Sequence, residues 1–345
     1  MNQSVGSAQL QLRKPYLIFM GDVTDAASAK TGFGLRDWCP GEAIGQIRTA
    51  AGAVDLGLPE MTPEQAVQAG VGSLVIGIAP DGGRLKESWI PTLATAAASG
   101  LDLVSGLHTR LEAYPAIVAA AEAGGARLVN VRHPDKGFAV GTGRRRTGRR
   151  LLTVGTDCAL GKKYTALSIA AELRARGLPT TFRATGQTGI MIAGAGIPID
   201  AMVADFVAGA AEALSPDAPE DHWDVIEGQG SLFHPSYAAV TLGLIHGSQP
   251  DAIVLCHDPR RRTIDGLPDF PLPSLSVAIR RYEESAGLTN AAASVVALSL
   301  NTGGMSEDEA AAAIALAGRD CGLPVTDPIR RGAGPLADAL LARCC

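Results

Sequence analysis

The segment Gly155-Thr156-Asp157-Cys158-Ala159-Leu160-Gly161-Lys162-Lys163-Tyr164-Thr165 carries the residue types that phosphate chemistry needs. Two glycines bracket a short loop, a lysine follows the second, and a helical pattern runs from Thr165 to Arg176. Ahead of the loop lies the apolar, β-prone run Leu151-Leu152-Thr153-Val154. Strand, glycine-bracketed loop ending in Gly-Lys, then helix is the layout of a phosphate-binding P-loop. Its glycines let successive N–H groups turn into one concavity at the positive end of a helix dipole. Lys162 adds a point charge against a terminal or bridging phosphate. The alternative is a glycine-rich turn that only caps a helix, and the strand–loop–helix context speaks against it. The expected cofactor-binding residues are therefore Gly155, Thr156, Asp157, Cys158, Ala159, Gly161, Lys162 and Lys163, with a nucleotide or CoA as ligand.

One position departs from the motif. Where a P-loop places Ser or Thr to ligate the Mg²⁺ that accompanies ATP or GTP, this chain has Lys163. A charged lysine cannot ligate a metal, and the nearest hydroxyl, Thr165, is two residues on and on another helical face. Two adjacent lysines suit a polyanion bound without much help from Mg²⁺, so no metal is expected.

Further chemistry gathers at other predicted strand ends. Trp223-Asp224-Val225-Ile226-Glu227-Gly228-Gln229-Gly230-Ser231 reads as a strand ending in an acid and two glycines, with Glu227 where a Walker-B acid would stand. Glu227 is positioned to coordinate a metal, orient a water or act as general base. His133, in Arg-His-Pro, His234, four residues beyond Gly230, and His257, at a strand end, are each either polar structural residues or catalysts. Cys158 is the one cysteine inside a motif; it is either a nucleophile or a small residue in a tight loop. The candidate catalytic set is Glu227, Lys162, Asp157 and His234.

These side chains need strands and helices to hold them. In the first half, strands are predicted at Tyr16–Met20, Ala53–Leu56, Ser73–Ile78, Asp102–Val104 and Arg127–Val131, with helices over Pro63–Ala69, Trp89–Ser99 and Tyr114–Ala123. In the second half, further strands are expected at Thr180–Arg183, Ala252–His257 and Ser294–Asn301, with a small-residue loop at Thr185–Gly189. Strand–helix alternation predicts parallel sheets covered on both faces. Gly32 to Trp38, with Arg36, Asp37 and Trp38, reads as a substrate loop, and the proline-rich Leu267–Pro273 as irregular surface structure. The basic break Gly141–Arg150 is either a solvated linker or a polyphosphate aid leading into the P-loop strand. It puts the domain boundary near residue 145: an N-terminal Rossmann-like domain over 1–145 and a P-loop NTPase-like domain over 146–345. The active site is expected in the cleft between them.

Composition agrees with an α/β protein. Of 345 residues, 46% are hydrophobic and only 4% aromatic, with 41 glycines, which suits small residues at helix–sheet contacts. A net charge of −5 recommends neither nucleic acid nor an anionic membrane as partner. No run reaches the ~18 apolar residues that a membrane span requires. Met1–Leu12 is polar and lacks the apolar core of a signal peptide, so a cytoplasmic protein is expected. The cysteines show no Cys-x-x-Cys spacing, which argues against a zinc site or a disulfide framework. Gly21-Asp22 opens no Gly-x-Gly-x-x-Gly, so nicotinamide binding finds no support.

Taken together these motifs resemble known groups. Gly155-Thr156-Asp157 with Gly161-Lys162, and Glu227-Gly228-Gln229-Gly230, are similar to the P-loop and the Glu-Gly-Ala-Gly segment of dethiobiotin synthetase. Asn301 and Gly322-Leu323-Pro324-Val325 resemble its adenine-side Asn and closing segment. Over the whole chain the resemblance is to a two-domain family once catalogued as a domain of unknown function, which includes the DgcN-type D-glutamate N-acetyltransferases. It rests on Lys30-Thr31-Gly32-Phe33-Gly34-Leu35-Arg36-Asp37-Trp38, Ile78-Ala79-Pro80-Asp81-Gly82-Gly83, Arg132-His133-Pro134 and the P-loop. The resemblance implies acetyl transfer from acetyl-CoA to the amino group of D-glutamate in D-amino acid catabolism, with Asn301 joining the cofactor-binding set. A dicarboxylate substrate then calls for Lys30, Arg36, Arg132 and Arg183 as candidate carboxylate binders, and Asp37 of the Gly32–Trp38 segment joins them as a candidate substrate-binding residue. The alternative is a MgATP-dependent ligase or kinase of the dethiobiotin synthetase type. A small-molecule substrate and a homo-oligomeric state are expected, with neither nucleic acid nor membrane as partner.

Overall fold

The computed structural model describes residues 12–26, 28–79, 83–133 and 137–343. Residues 1–11 of the polar N-terminus, Pro80, Asp81 and Gly82 of the Ile78–Gly83 motif, Pro134, and the terminal Cys344 and Cys345 lie outside the described residues. The chain divides into two compact units, Met1–Lys136 with Gln187–Pro198, and Gly137–Gly186 with Ile199–Cys345.

In the first unit, β1 (Tyr16–Gly21), β2 (Ala43–Arg48), β3 (Ser73–Ile76), β4 (Asp102–Ser105) and β5 (Leu128–Asn130) form one parallel sheet. Their order is β2-β1-β3-β4-β5. Strands β1, β3 and β4 are buried along their whole length, as a sheet covered on both faces requires. Helices α1 (Lys30–Trp38), α2 (Pro63–Gln68), α3 (Ile90–Ala98) and α4 (Pro115–Gly124) complete the Rossmann-like alternation.

In the second unit, β6 (Arg149–Gly155), β7 (Thr180–Arg183), β8 (Trp223–Ile226), β9 (Ala252–His257), β12 (Ser294–Leu300) and β13 (Val325–Thr326) form a parallel sheet. Its order is β13-β12-β9-β6-β8-β7. A two-stranded hairpin, β10 (Thr263–Ile264) with β11 (Leu267–Pro271), stands outside it. The helices are α5 (Lys162–Ala175), α7 (Val207–Leu214), α8 (Ala238–Ser248), α9 (Leu275–Gly287), α10 (Glu307–Cys321) and α11 (Gly334–Ala342). The intervening α6 (Gln187–Ala193) belongs to the first unit, where Thr188 Oγ1 lies 2.9 Å from Thr31 Oγ1 of α1. The chain runs from β6 to the β7 edge, returns through β8 and crosses to β9 on the other side of β6. The loops after β6, β8 and β9 therefore meet at one point of the carboxyl edge, where such sheets bind ligands.

Several expectations change. Residues 53–56 are not a strand; the edge strand is β2, which ends five residues before Ala53. Gln46 of β2 is buried, donates through Nε2 to Asp55 Oδ1 (2.7 Å) and Leu58 O (3.0 Å), and accepts the Leu56 N–H (2.8 Å). That side chain fastens 55–58 to the strand as a loop. Gly32–Trp38 is not a loop but most of α1. Two glycines are poor helix formers, yet Thr31, Gly32, Gly34 and Leu35 make a buried face whose small residues admit close packing, with the Gly32 N–H on Gly77 O at 2.7 Å. Residues Gln187–Gly189 are likewise helical. The proline-rich segment supplies β11 rather than irregular structure.

The basic break matches neither of its two readings at Arg146. This side chain is buried and donates to the carbonyl oxygens of Glu212 (2.8 Å), Ser215 (2.7 Å), Gly247 (2.6 Å) and Ser248 (3.1 Å). These lie at the C-terminal ends of α7 and α8, where helices leave carbonyls unpaired and the dipole favours a cation. Burial pulls the Arg146 pKa down to about 10. Arg150 is buried too and binds Ser215 Oγ (2.9 Å). Arg144 and Arg145 are exposed and pair with Asp217 (2.5 Å) and Asp251 (3.3 Å). No helix among the described residues is long and apolar enough to cross a membrane.

Arg146→Met would strip the donors from these four carbonyls, and each buried unsatisfied group costs about 1–3 kcal/mol. Urea unfolding should show a loss of at least about 3 kcal/mol. A loss below about 1 kcal/mol would mean that the carbonyls find other partners.

Candidate phosphate-binding active site

Strand β6 delivers its last residue, Gly155, to the switch point. The Gly155 carbonyl accepts the hydroxyls of Tyr282 (2.7 Å) and Ser231 (2.9 Å), which fixes where the loop begins. Burial raises the Tyr282 pKa to about 12, so it stays a donor. Positive φ at Ala159 (54°) and Gly161 (101°) turns the backbone into α5. Gly161 is the N-cap residue of α5 and offers no capping side chain, so the first N–H groups of the helix remain for a ligand. Lys162 is buried, with Nζ on Asp157 O at 2.8 Å, and burial pushes its pKa below the ordinary value. Thr165 turns away, its Oγ1 2.8 Å from Ser299 Oγ.

Asp157 is completely buried. Its Oδ1 accepts the Cys158 N–H (2.6 Å), and its Oδ2 accepts Arg261 (2.6 Å) and the Asp265 N–H (2.8 Å). Arg261 also donates to Cys158 O (2.8 Å). One ligand-type atom from each of Asp157, Cys158 and His234 lies within 4.8 Å of the others. Both oxygens of Asp157 are already engaged, and a guanidinium provides the counter-charge. The His234 ring is buried and accepts the Ser236 N–H on Nδ1 (3.1 Å), which leaves the proton on Nε2. Burial raises the Cys158 pKa, the Lys162 charge notwithstanding.

Glu227 follows β8 and is almost wholly buried, at 4% exposure. Its Oε2 accepts the N–H groups of Thr185 (2.9 Å) and Gly186 (3.1 Å), at the end of β7. Burial raises its pKa, while the charge of Lys163 and the two N–H bonds pull the other way. The next residue must be glycine. A Cβ at Gly228 would run into the Thr153 carbonyl and come within 3.2 Å of Lys162 Cδ, so the acid-bearing strand end passes close over the P-loop lysine.

The structure thus brings together Gly155, Thr156, Asp157, Cys158, Ala159, Gly161, Lys162, Lys163, Glu227 and His234. Asn301 ends up after β12, its N–H on His257 O at 2.8 Å and its Oδ1 accepting the Gly303 N–H at 3.1 Å. Arg183 is half-buried and held by Asp224 at 2.7 Å. Lys30, Arg36, Asp37 and Arg132 lie in the first unit. There Lys30 is exposed at the start of α1, Arg36 pairs with Asp37 (2.6 Å), and Arg132 donates to Gln187 Oε1 (3.0 Å) and meets His108 (3.1 Å). Sequence reasoning missed Arg261, Tyr282 and Ser231, and it left His257 open. His257 Nδ1 stands 2.9 Å from Thr156 Oγ1, and burial depresses its pKa. The run Arg260-Arg261-Arg262 directly after a predicted strand was the available signal.

Residues 137–337 match the model described as a domain of unknown function, a P-loop domain, and residues 43–134 match its Rossmann-like N-terminal partner. The chain belongs to the DUF1611 family. It is 49% identical to a D-glutamate N-acetyltransferase from Tritonibacter scottomollicae, covering 96% of this chain and 99% of that protein. It is 42% identical to a D-glutamate N-acetyltransferase from Pseudoalteromonas sp, covering 97% and 100%. A crystal structure of a DUF1611 family protein from Anabaena variabilis is similar at a TM-score of 0.85 and 36% identity, covering 95% of this chain and 99% of that one.

In this DUF1611 chain, Asp157→Asn would face an amide donor toward Arg261 or toward a backbone N–H. Loss of a hydrogen bond to a charged group predicts about 1.5–3 kcal/mol of destabilisation. Hydrogen exchange at the Asp265 amide should quicken. Unchanged exchange there would show that the hairpin is held by other contacts.

Proposed function

We propose that this chain is a D-glutamate N-acetyltransferase that uses acetyl-CoA as donor. The observation that carries the reading is the 49% and 42% identity, over nearly the whole chain, to two proteins named for that activity. Acetyl-CoA supplies an acetyl thioester together with a diphosphate. The backbone N–H groups of residues 155–162 and the Lys162 ammonium hold the diphosphate. Lys163 occupies the position of a Mg²⁺-binding hydroxyl and brings a positive charge in the metal's place.

The substrate ammonium must lose a proton before its nitrogen attacks the acetyl carbon and the C–S bond breaks. Glu227 takes that proton, since its raised pKa makes it a stronger base than a surface carboxylate. The N–H groups of Thr185 and Gly186 hold Oε2 and so orient the carboxylate. The negative charge that develops on the carbonyl oxygen needs hydrogen-bond donors of its own, apart from the loop that holds the diphosphate. His234, with Nδ1 on the Ser236 N–H, offers its Nε2–H as a donor, and Asp157 is a positioning residue. In the first unit Lys30, Arg36 and Arg132 are the candidate cations for the substrate carboxylates, with Asp37 paired to Arg36; in the second unit Arg183 is held by Asp224. A protein that draws on acetyl-CoA, with Cys39, Cys158, Cys256 and Cys321 as free thiols, fits the cytoplasm. The ligase alternative would draw metal ligands from Asp157 and Glu227, and the Asp157 carboxylate is taken by Arg261.

Incubation with D-glutamate and acetyl-CoA should yield N-acetyl-D-glutamate and CoA by mass spectrometry. A product formed only with MgATP would sink the reading. Lys162→Ala should weaken acetyl-CoA binding by about 1.5–3 kcal/mol in calorimetry, and unchanged affinity would remove the loop from donor binding.

Activity should survive EDTA, while Glu227→Gln should lower kcat by roughly 10²–10⁴-fold. With Glu227 as base the rate rises with pH through a pKa above that of an ordinary glutamate, and that limb should vanish in the variant. If chelation abolishes turnover and Mg²⁺ restores it, Glu227 is a metal ligand.

A further inference from the structure

We propose that Arg260 and Arg262 form a subsite for a phosphate carried outside the diphosphate, namely the 3′-phosphate of a CoA-type ligand. The proposal rests on the acetyl-CoA reading above and adds the residues that tell this donor from an ordinary nucleotide. Strand β9 lies between β6 and β12, so the segment leaving its carboxyl end runs between the P-loop and the loop that begins at Asn301. Its three consecutive arginines divide. Arg261 reaches the P-loop at Asp157 and Cys158. Arg260 reaches the other loop, for a Cβ on Gly304 would meet Arg260 Nη1 at 2.8 Å.

Arg260 is paired with Asp258, which holds it in place and leaves one of its nitrogens uncommitted to that carboxylate. Asp258, itself buried, accepts its Nε (3.1 Å) and Nη2 (2.8 Å), which leaves Nη1 on the side of Gly304. Arg262 is exposed, bonds Pro259 O at 3.2 Å, and forms no ion pair among the described residues. Its charge is felt at His257, the residue beside Thr156 of the P-loop. Lys162, Arg260, Arg261 and Arg262 outnumber Asp157, Asp258 and Asp265 here, in a chain whose net charge is −5. A diphosphate on the P-loop already has Lys162 and the N–H groups of α5, and Arg261 is committed to Asp157. Arg262, with no ion pair among the described residues, and the outward Nη1 of Arg260 beside Gly304 leave positive charge here that a further anion would meet. In 3′-phospho-ADP that anion sits on the ribose, between the diphosphate and the base, as these arginines sit between the two loops. Guanidinium forks suit a phosphate monoester.

Calorimetry on the full-length protein with CoA and with 3′-dephospho-CoA tests this. The wild type should bind CoA at least about 10-fold more tightly than dephospho-CoA, a preference that shrinks as salt rises. Arg260→Gln combined with Arg262→Gln should bring CoA down to the level of dephospho-CoA and leave the latter within about 2-fold. Because Arg260 also bonds Asp258, Arg262→Gln alone is the second variant, and it should remove part of the preference. Equal binding of the two ligands by the wild type would overturn this subsite and leave the diphosphate assignment standing. A preference that survives both the double and the single variant would overturn it too. Binding of neither ligand, with ATP bound instead, would overturn the donor reading and this subsite together.

Discussion

The buried carboxylate of Asp157 constrains everything around it. A charge removed from water costs several kcal/mol unless it is paired and hydrogen-bonded, and here three donors from different parts of the chain meet it. The Cys158 N–H sets the course of the P-loop, Arg261 ties down the segment after β9, and the Asp265 N–H fixes the turn of the β10–β11 hairpin. Arg261 can satisfy Asp157 only if its neighbours Arg260 and Arg262 remain on the same edge. An interaction needed for local electroneutrality therefore also places the cations assigned to the donor.

The second constraint is topological. A parallel sheet that starts at its centre and proceeds to one edge and then the other leaves one point where the loops after β6, β8 and β9 converge. The α5 N–H groups, Glu227 and His257 all stand there, although more than a hundred residues separate Gly155 from His257. The charges are also interdependent. Burial alone would depress Lys162 and raise Glu227, while nearby Lys163 favours ionised Glu227. Close passage of Gly228 over Lys162 brings these opposite tendencies into one volume.

Departures from the sequence reading share a cause. α1 forms despite two glycines because its small face is buried against neighbours that local propensity does not include. β2 reads weakly, containing Gly45 and Gln46, and is a strand because it pairs with β1 while Gln46 binds residues 55–58. Arg146 looks like a solvated linker residue, and only the two helix ends that converge on it make it interior. In each case long-range burial outweighed a weak local signal.

What the sequence determined by itself was whatever depends on neighbours in the chain. The P-loop was readable because its chemistry uses consecutive backbone N–H groups, two glycines and a lysine within a few residues. The Lys163 departure was readable for the same reason, as were the α/β alternation and Glu227, an acid between an apolar run and a glycine. Tertiary structure alone decided which side chains were available. It gave Asp157 and Arg261 to each other across a hundred residues and Arg183 to Asp224. It also bound Gly155 to Tyr282 and brought His234 to Cys158. Hydrogen bonds and ion pairs act over a few ångströms in space, and sequence separation carries no trace of which polar groups will be forced to share the same buried volume.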